Sequence, residues 1–163
     1  MESHLKQRME RIYTMIKDRL INGAIAGAAG ALVQNTYALI LAIGGYGGPN
    51  YVTYGKLLLG LNNYNGLSSD ILGLIGHFVW DMLLGVFFAY IISRTSSRYY
   101  LVKGTLYGAV IWYLIKAGSF LFRAPLVTKF SPESIAFYFA GSLLFGLSTA
   151  FTMKLLDRSR IKI

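Results

Sequence analysis

The sequence predicts an all-α fold: a polytopic integral membrane four-helix bundle. Three observations carry this expectation. Four windows, near residues 20–44, 71–93, 101–122 and 134–156, are almost wholly apolar, and about 20 such residues cross the hydrocarbon core of a bilayer. Hydrophobic residues make up 55% of the chain and charged ones 14%, where a soluble domain would carry roughly 25% charged. Glycine is abundant (18) and proline rare (3), which suits closely packed membrane helices.

Residues 1–19 come first. Leu5, Met9, Ile12, Ile16 and Leu20 recur at spacings of three and four, the period of an amphipathic helix. Its other face carries cations, so it suits an interfacial helix on anionic lipid or a cytoplasmic extension of the first spanning helix. The segment is too long for the n-region of a secretory signal and contains Glu2, Glu10 and Asp18, which such signals avoid.

In the first window, Gly23, Gly27, Gly30 and Gln34 fall at i, i+4, i+7 and i+11, one stripe of a helix. Small residues let helix backbones approach where lipid supplies no hydrophobic drive. The stripe therefore serves packing within the chain or contact between copies.

Residues 45–70 form the longest connection, with turn signals at Gly45, Gly47, Gly48, Pro49, Asn62, Asn63 and Asn65-Gly66. Between them, residues 56–61 are apolar after Lys56 but too short to span. They suit a short interfacial helix or a re-entrant dip. Tyr46, Tyr51, Tyr54 and Tyr64 suit the headgroup belt. Ser68, Ser69 and Asp70 supply a start for the second spanning helix by capping backbone N–H groups.

The second window contains His77 and Asp81. The basic link 94–100 is short and makes the second and third helices antiparallel neighbours. The third window repeats the small-residue spacing at Gly104 and Gly108 and contains Lys116. Ser131-Pro132-Glu133 then gives a cap, a proline at the first helical position and an acid at the positive end of the dipole. After the fourth window, residues 157–163 form a basic tail.

A repeat is visible across these elements. The segment 20–28, with Gly23 and Gly27, aligns with 101–109, with Gly104 and Gly108; Leu83-Leu84-Gly85 aligns with Leu144-Phe145-Gly146. Two helical hairpins of the same orientation would give a 2+2 parallel repeat with a pseudo-two-fold axis along the membrane normal.

The net charge of +9 follows topology rather than marking a nucleic-acid surface. If four helices are threaded, twelve cations fall on one side (Lys6, Arg8, Arg11, Lys17, Arg19, Arg94, Arg98, Lys103, Lys154, Arg158, Arg160, Lys162). Three fall on the other: Lys56, Arg123 and Lys129. Positive loops stay inside, so both termini face the cytoplasm.

Only His77, Asp81 and Lys116 place titratable groups well inside the windows. Counted from the outer surface at about 1.5 Å per residue, these three with Gln34 and Asn35 fall within roughly 6 Å of one level in the outer half. His77 and Asp81 share a face at i, i+4. Because a lone charge there costs a few kcal/mol, the expected arrangement is an Asp81–Lys116 pair with His77 beside it. Ser142 and Thr149 would close the cluster. Tyr37, Trp80, Tyr90, Trp112 and Tyr113 read as packing or lipid contacts.

The chain has no cysteine, which excludes disulfides, iron–sulfur clusters and thiol nucleophiles. His4 and His77 are its two histidines, and His4 lies outside the windows, so a bis-histidine haem within one chain is excluded. No phosphate-binding glycine loop, nucleophile–base motif or zinc signature occurs. The expectation is therefore no catalytic residue, no metal and no cofactor.

Gly76-His77, Leu84-Gly85, the basic loop, Lys103-Gly104 with Gly108-Ala109, and Ala124-Pro125 ahead of Ser131-Pro132 together resemble small bacterial inner-membrane proteins of the acid-resistance-associated type. The resemblance covers roughly residues 71–133. That family's histidine-rich positions before the proline segment are occupied here by Lys116 and Ala117, so no functional residue transfers. The function expected from the residues is a non-enzymatic membrane scaffold or subunit of a homo-oligomer or larger membrane complex. The alternative is a proton or small-ion channel or transporter built on His77, Asp81 and Lys116.

Overall fold

A computed structural model describes residues 2–46, 50–95, 98–121 and 131–160, with side chains between residues 19 and 157. Arg123, Lys129 and Ala124-Pro125 lie outside the described residues, as do the side chains of the amphipathic N-terminal stripe and most of the basic tail.

Among the described residues the chain is all-helical, with five helices and no strand. They are α1 (Glu2–Ile43), α2 (Tyr51–Leu58), α3 (Leu67–Arg94), α4 (Tyr100–Leu121) and α5 (Pro132–Arg160). Three of them are long and apolar enough to cross a membrane, over Arg19–Ile43, Leu67–Arg94 and Pro132–Asp157. The fourth long helix, α4, is outside that set and carries Lys103, Lys116 and three tyrosines.

α1 is one unbroken helix of 42 residues, about 63 Å at 1.5 Å per residue. The N-terminal segment thus continues the axis of the apolar stretch. α2 begins ahead of the apolar run 56–61 and ends within it; it is capped by Asn50, whose Oδ1 accepts from the Thr53 N–H at 3.1 Å. At α5 the expected start holds: Ser131 Oγ accepts from the Ser134 N–H at 3.2 Å, with Pro132 opening the first turn.

The start of α3 differs from expectation. Gly66, at φ 123°, precedes the helix without a side-chain cap. Ser69 Oγ instead donates to the carbonyls of Gly66 and Tyr64. The Asp70 carboxylate accepts from Lys56 Nζ at 2.9 Å and ties α2 to α3.

α1 packs along both α3 and α5, α4 packs along α5, and α2 lies on α3; α3 and α4 barely touch. Glycine sets each close approach. A Cβ at Gly85 would run into the Gly23 carbonyl and the Gly27 backbone, and one at Gly146 into the Gly104 carbonyl and the Gly108 N–H. The two small-residue stripes are thus used inside the chain, at α1–α3 and α4–α5. Gly30 leaves the first stripe's neighbour and faces Thr149 and Phe145 of α5.

One end of the molecule is filled by packed side chains. Ala26, Phe88, Ala89, Ile92, Tyr100, Ala150 and Met153 form a buried cluster, with Tyr107 packed against it. Tyr107 closes α4 onto α3 here, donating to the Leu84 carbonyl at 2.6 Å while its ring stacks at 5.2 Å from Phe88. At the rim, Asp157 accepts from Arg19 at 2.9 Å and from the Tyr100 hydroxyl.

Large apolar side chains cover much of the surface and polar ones lie inside, as suits a chain with membrane-spanning helices. Leu32, Ile40 and Phe87 stand exposed, while Gln34, His77 and Asp81 are buried. Water would reverse that arrangement.

Candidate functional site

Away from the filled end, α3 and α4 separate and enclose a cavity of about 200 Å³. Every helix contributes to its wall. α1 supplies Gln34; α2 supplies Tyr51 and Tyr54; α3 supplies His77, Trp80 and Asp81; α4 supplies Trp112, Lys116 and Ser119; α5 supplies Tyr138 and Ser142.

α2 positions the outer wall. It lies against α3 because both backbones are bare at the contact: a Cβ at Gly55 would collide with the Gly73 carbonyl, and one at Gly73 with Val52 and Lys56. This seats the Tyr51 ring 4.9 Å from that of His77 and edge-on to Tyr138 at 5.8 Å. Gly141 of α5 leaves the space that the Tyr51 hydroxyl occupies. Tyr138 in turn accepts from the Asn50 N–H at 3.0 Å and meets Tyr54 edge-on at 5.5 Å. Tyr51 is therefore an internal wall rather than a headgroup anchor, whereas Tyr46 and Tyr64 are exposed.

The polar residues singled out by sequence converge here. His77 and Asp81 are 5% and 3% exposed, and His77 Nδ1 lies 3.3 Å from Asp81 Oδ2. Asn35 donates to the Ala31 carbonyl at 2.8 Å and stands 3.5 Å from His77 Nδ1. Gln34 is buried, with the Tyr51 hydroxyl beside its amide. The ion contact of Asp81 is with His77, where Lys116 was expected; Lys116 borders the same cavity from α4. Ser142 borders it too, its hydroxyl donating to the Tyr138 carbonyl at 3.1 Å. Thr149 is fully buried outside it, against Gly30.

The wall carries unused hydrogen-bonding capacity. Gln34 Oε1, Tyr51 Oη, Asp81 Oδ2 and Trp112 Nε1 are buried without a hydrogen bond of good geometry, and all four residues line the cavity. Such groups are rarely left unmade, since each costs about 1–3 kcal/mol. Four around one space mark where a guest or water completes the bonding.

Tyr51, Tyr54, Tyr138 and Trp112 were not recognised by sequence as site residues. Their common signal is aromatic side chains flanking a polar cluster, but only the docking of α2 brings them to it. Among the described residues no three His, Cys, Asp or Glu side chains group as metal ligands. The wall offers one carboxyl, one imidazole, one ammonium and an aromatic lining. Comparison with protein-family models, curated proteins and solved structures returns no match.

Proposed function

We propose that this chain is a non-enzymatic, four-span membrane protein that holds a guest molecule in its cavity between α3 and α4. The observation that carries this is one space of about 200 Å³ lined by Gln34, Tyr51, Asp81 and Trp112, each with a buried polar atom that lacks a well-formed hydrogen bond. For scale, a dry cavity of about 150 Å³ accepts a benzene molecule.

The finer architecture belongs to the same proposal. α4 is the fourth span, its length of 22 residues being sufficient. The 2+2 repeat is supported by the matching glycine contacts: Gly85 sits on Gly23 and Gly27 as Gly146 sits on Gly104 and Gly108. Under that symmetry the counterpart of the close α1–α5 packing is α3–α4, the pair that has parted. The site thus occupies the one place where the repeat is broken. The charge distribution supports cytoplasmic termini, with anionic lipid against the basic face; a bacterial inner membrane is proposed from the resemblance alone.

This reading is preferred to the scaffold role, because the small-residue stripes make their contacts within the chain. Proton or ion translocation stands second, supported by His77 and Asp81 at the cavity wall. Against it, the packed cluster around Phe88 and Met153 fills the other half.

The test is to purify the chain in mild detergent and identify bound molecules by native mass spectrometry. A guest near one per chain, lost when Ser119→Phe places a ring in the cavity it lines, is expected. Guest-free protein, unaltered by Ser119→Phe and assembled as a stable oligomer, would return the scaffold role. Asp81-dependent proton flux in liposomes would favour translocation.

A further inference from the structure

We infer that the guest is uncharged and mainly apolar, about the size of one substituted ring, and carries an oxygen that accepts a hydrogen bond from the Trp112 indole N–H. The inference rests on the guest-binding reading above and names its ligand class.

The charges of the wall are already answered. The Asp81 carboxyl meets His77 Nδ1 at 3.3 Å, and Lys116 has an interaction of its own within the chain. A charged guest would lie in this space without a free counter-charge, and an unpaired ion away from water costs far more than one contact returns. Leu57, Leu58, Leu84, Ile111, Ile115 and Phe145 add an apolar lining that suits a hydrocarbon body. The volume, about 200 Å³, compares with about 150 Å³ for a cavity that accepts benzene. It leaves room for one ring and a short substituent.

Trp112 sets the polar end of the guest. Its indole N–H donates and cannot accept, and Nε1 is buried without a hydrogen bond. The ring is braced from the side: it meets Phe139 of α5 edge-on at 5.1 Å and packs against the cluster of Ala38, Tyr51 and Tyr138. These neighbours fix the indole but give its N–H no acceptor. The serine hydroxyls of the wall turn back on their own helices: Ser119 donates to the Ile115 carbonyl at 2.6 Å and Ser142 to the Tyr138 carbonyl at 3.1 Å. Gln34 Oε1 and the Tyr51 hydroxyl stand side by side, an acceptor next to a donor. The Trp112 donor thus calls for an acceptor from outside the chain. A buried water makes about three hydrogen bonds, and the neighbours of Trp112 are mainly carbon, so a guest oxygen serves this donor better.

The experiment uses the full chain in detergent micelles and four one-ring probes: acetophenone, isopropylbenzene, benzoate and benzylammonium. The first two are close in shape and differ in the carbonyl oxygen. Binding is read by thermal shift and by the indole N–H resonances, of which the chain has two, from Trp80 and Trp112; Trp80→Phe assigns them. Acetophenone is expected to bind at least about fivefold more tightly than isopropylbenzene, after correction for partition into empty micelles, and to move the Trp112 N–H proton downfield. Benzoate and benzylammonium are expected to bind at least about tenfold more weakly than acetophenone. Trp112→Phe should hold the two neutral probes alike; if that variant fails to fold, the downfield shift in the wild type carries the test. Isopropylbenzene bound as tightly as acetophenone, or a Trp112 N–H proton that acetophenone leaves unmoved, would overturn the acceptor assignment. A charged probe bound as tightly as acetophenone, or a co-purified guest with a net charge, would overturn neutrality. Each of these results leaves a guest-binding cavity. No probe binding and no co-purified guest would defeat the binding reading itself.

Discussion

The two ends of this molecule solve the same packing problem in opposite ways. At the Gly85 and Gly146 end, helices meet backbone to backbone and the remaining space is filled by Phe88, Ile92 and Met153. At the His77 and Trp112 end, an extra helix is wedged onto α3, two long helices part, and the space is left hollow and lined with polar atoms. Lipid offers no reward for burying apolar surface, so close contact and hydrogen bonding decide what associates. The filled end uses close contact. The hollow end stores unsatisfied hydrogen-bonding groups, and it can be kept hollow because the other end holds the helices together.

The sharpest way to break this contrast is at the filled end. Gly146→Leu drives a side chain into the Gly104 and Gly108 backbone, which cannot yield. It is expected to destabilise the chain by about 3 kcal/mol or more, read by thermal unfolding in detergent. Gly118→Leu, where nothing lies within 4 Å, should change stability by about 0.5 kcal/mol or less. Equal behaviour of the two would remove the close-contact account.

A smaller effect is expected where α2 docks. Gly55→Ala meets the Gly73 carbonyl and should cost about 1–3 kcal/mol. Its distinctive signature is faster proteolysis within residues 45–66 while α4 and α5 stay protected. Cleavage unchanged from the wild type would mean that α2 does not depend on this contact.

Lys56 and Asp70 offer a milder probe of the same docking. The pair is 2.9 Å apart, but the Asp70 side chain is 55% exposed, so Asp70→Asn should cost at most about 1 kcal/mol and less in high salt. A salt-independent loss well above this would show a buried role that the geometry does not contain.

The smallest effect compares two orphaned polar groups. Thr149 is buried away from the cavity with an unpartnered hydroxyl, so Thr149→Val should be neutral or slightly stabilising. Gln34→Leu, on the cavity wall, should likewise fold but lose the guest. If both variants bind normally, the orphaned atoms at the cavity are not there for a ligand.

Much of this fold is legible in the sequence, for reasons that are local. Apolar runs give the long helices, the spacings of Gly23, Gly27, Gly104 and Gly108 give two contact faces, and the scarcity of charge points to His77 and Asp81. What is not legible depends on which helices are neighbours. Lys56 reads as a loop cation until Gly55 and Gly73 are seen back to back. Tyr51 reads as a headgroup anchor until α2 turns it onto His77. Trp112 reads as packing bulk until α4 is seen to stand off from α3. The partner expected for Asp81 was Lys116, chosen by charge; the i, i+4 geometry within α3 gives it His77.

The most direct test of the central claim uses the absence of cysteine in the chain. Single-cysteine variants at Ser142, on the cavity wall, and at Ala89, fully buried in the packed cluster, are treated with a small membrane-permeant thiol reagent in native membranes. The account predicts labelling of Ser142→Cys, slowed by the bound guest, with Ala89→Cys inert until the protein is unfolded. A Ser142→Cys variant as inert as Ala89→Cys would mean that no accessible cavity exists between α3 and α4.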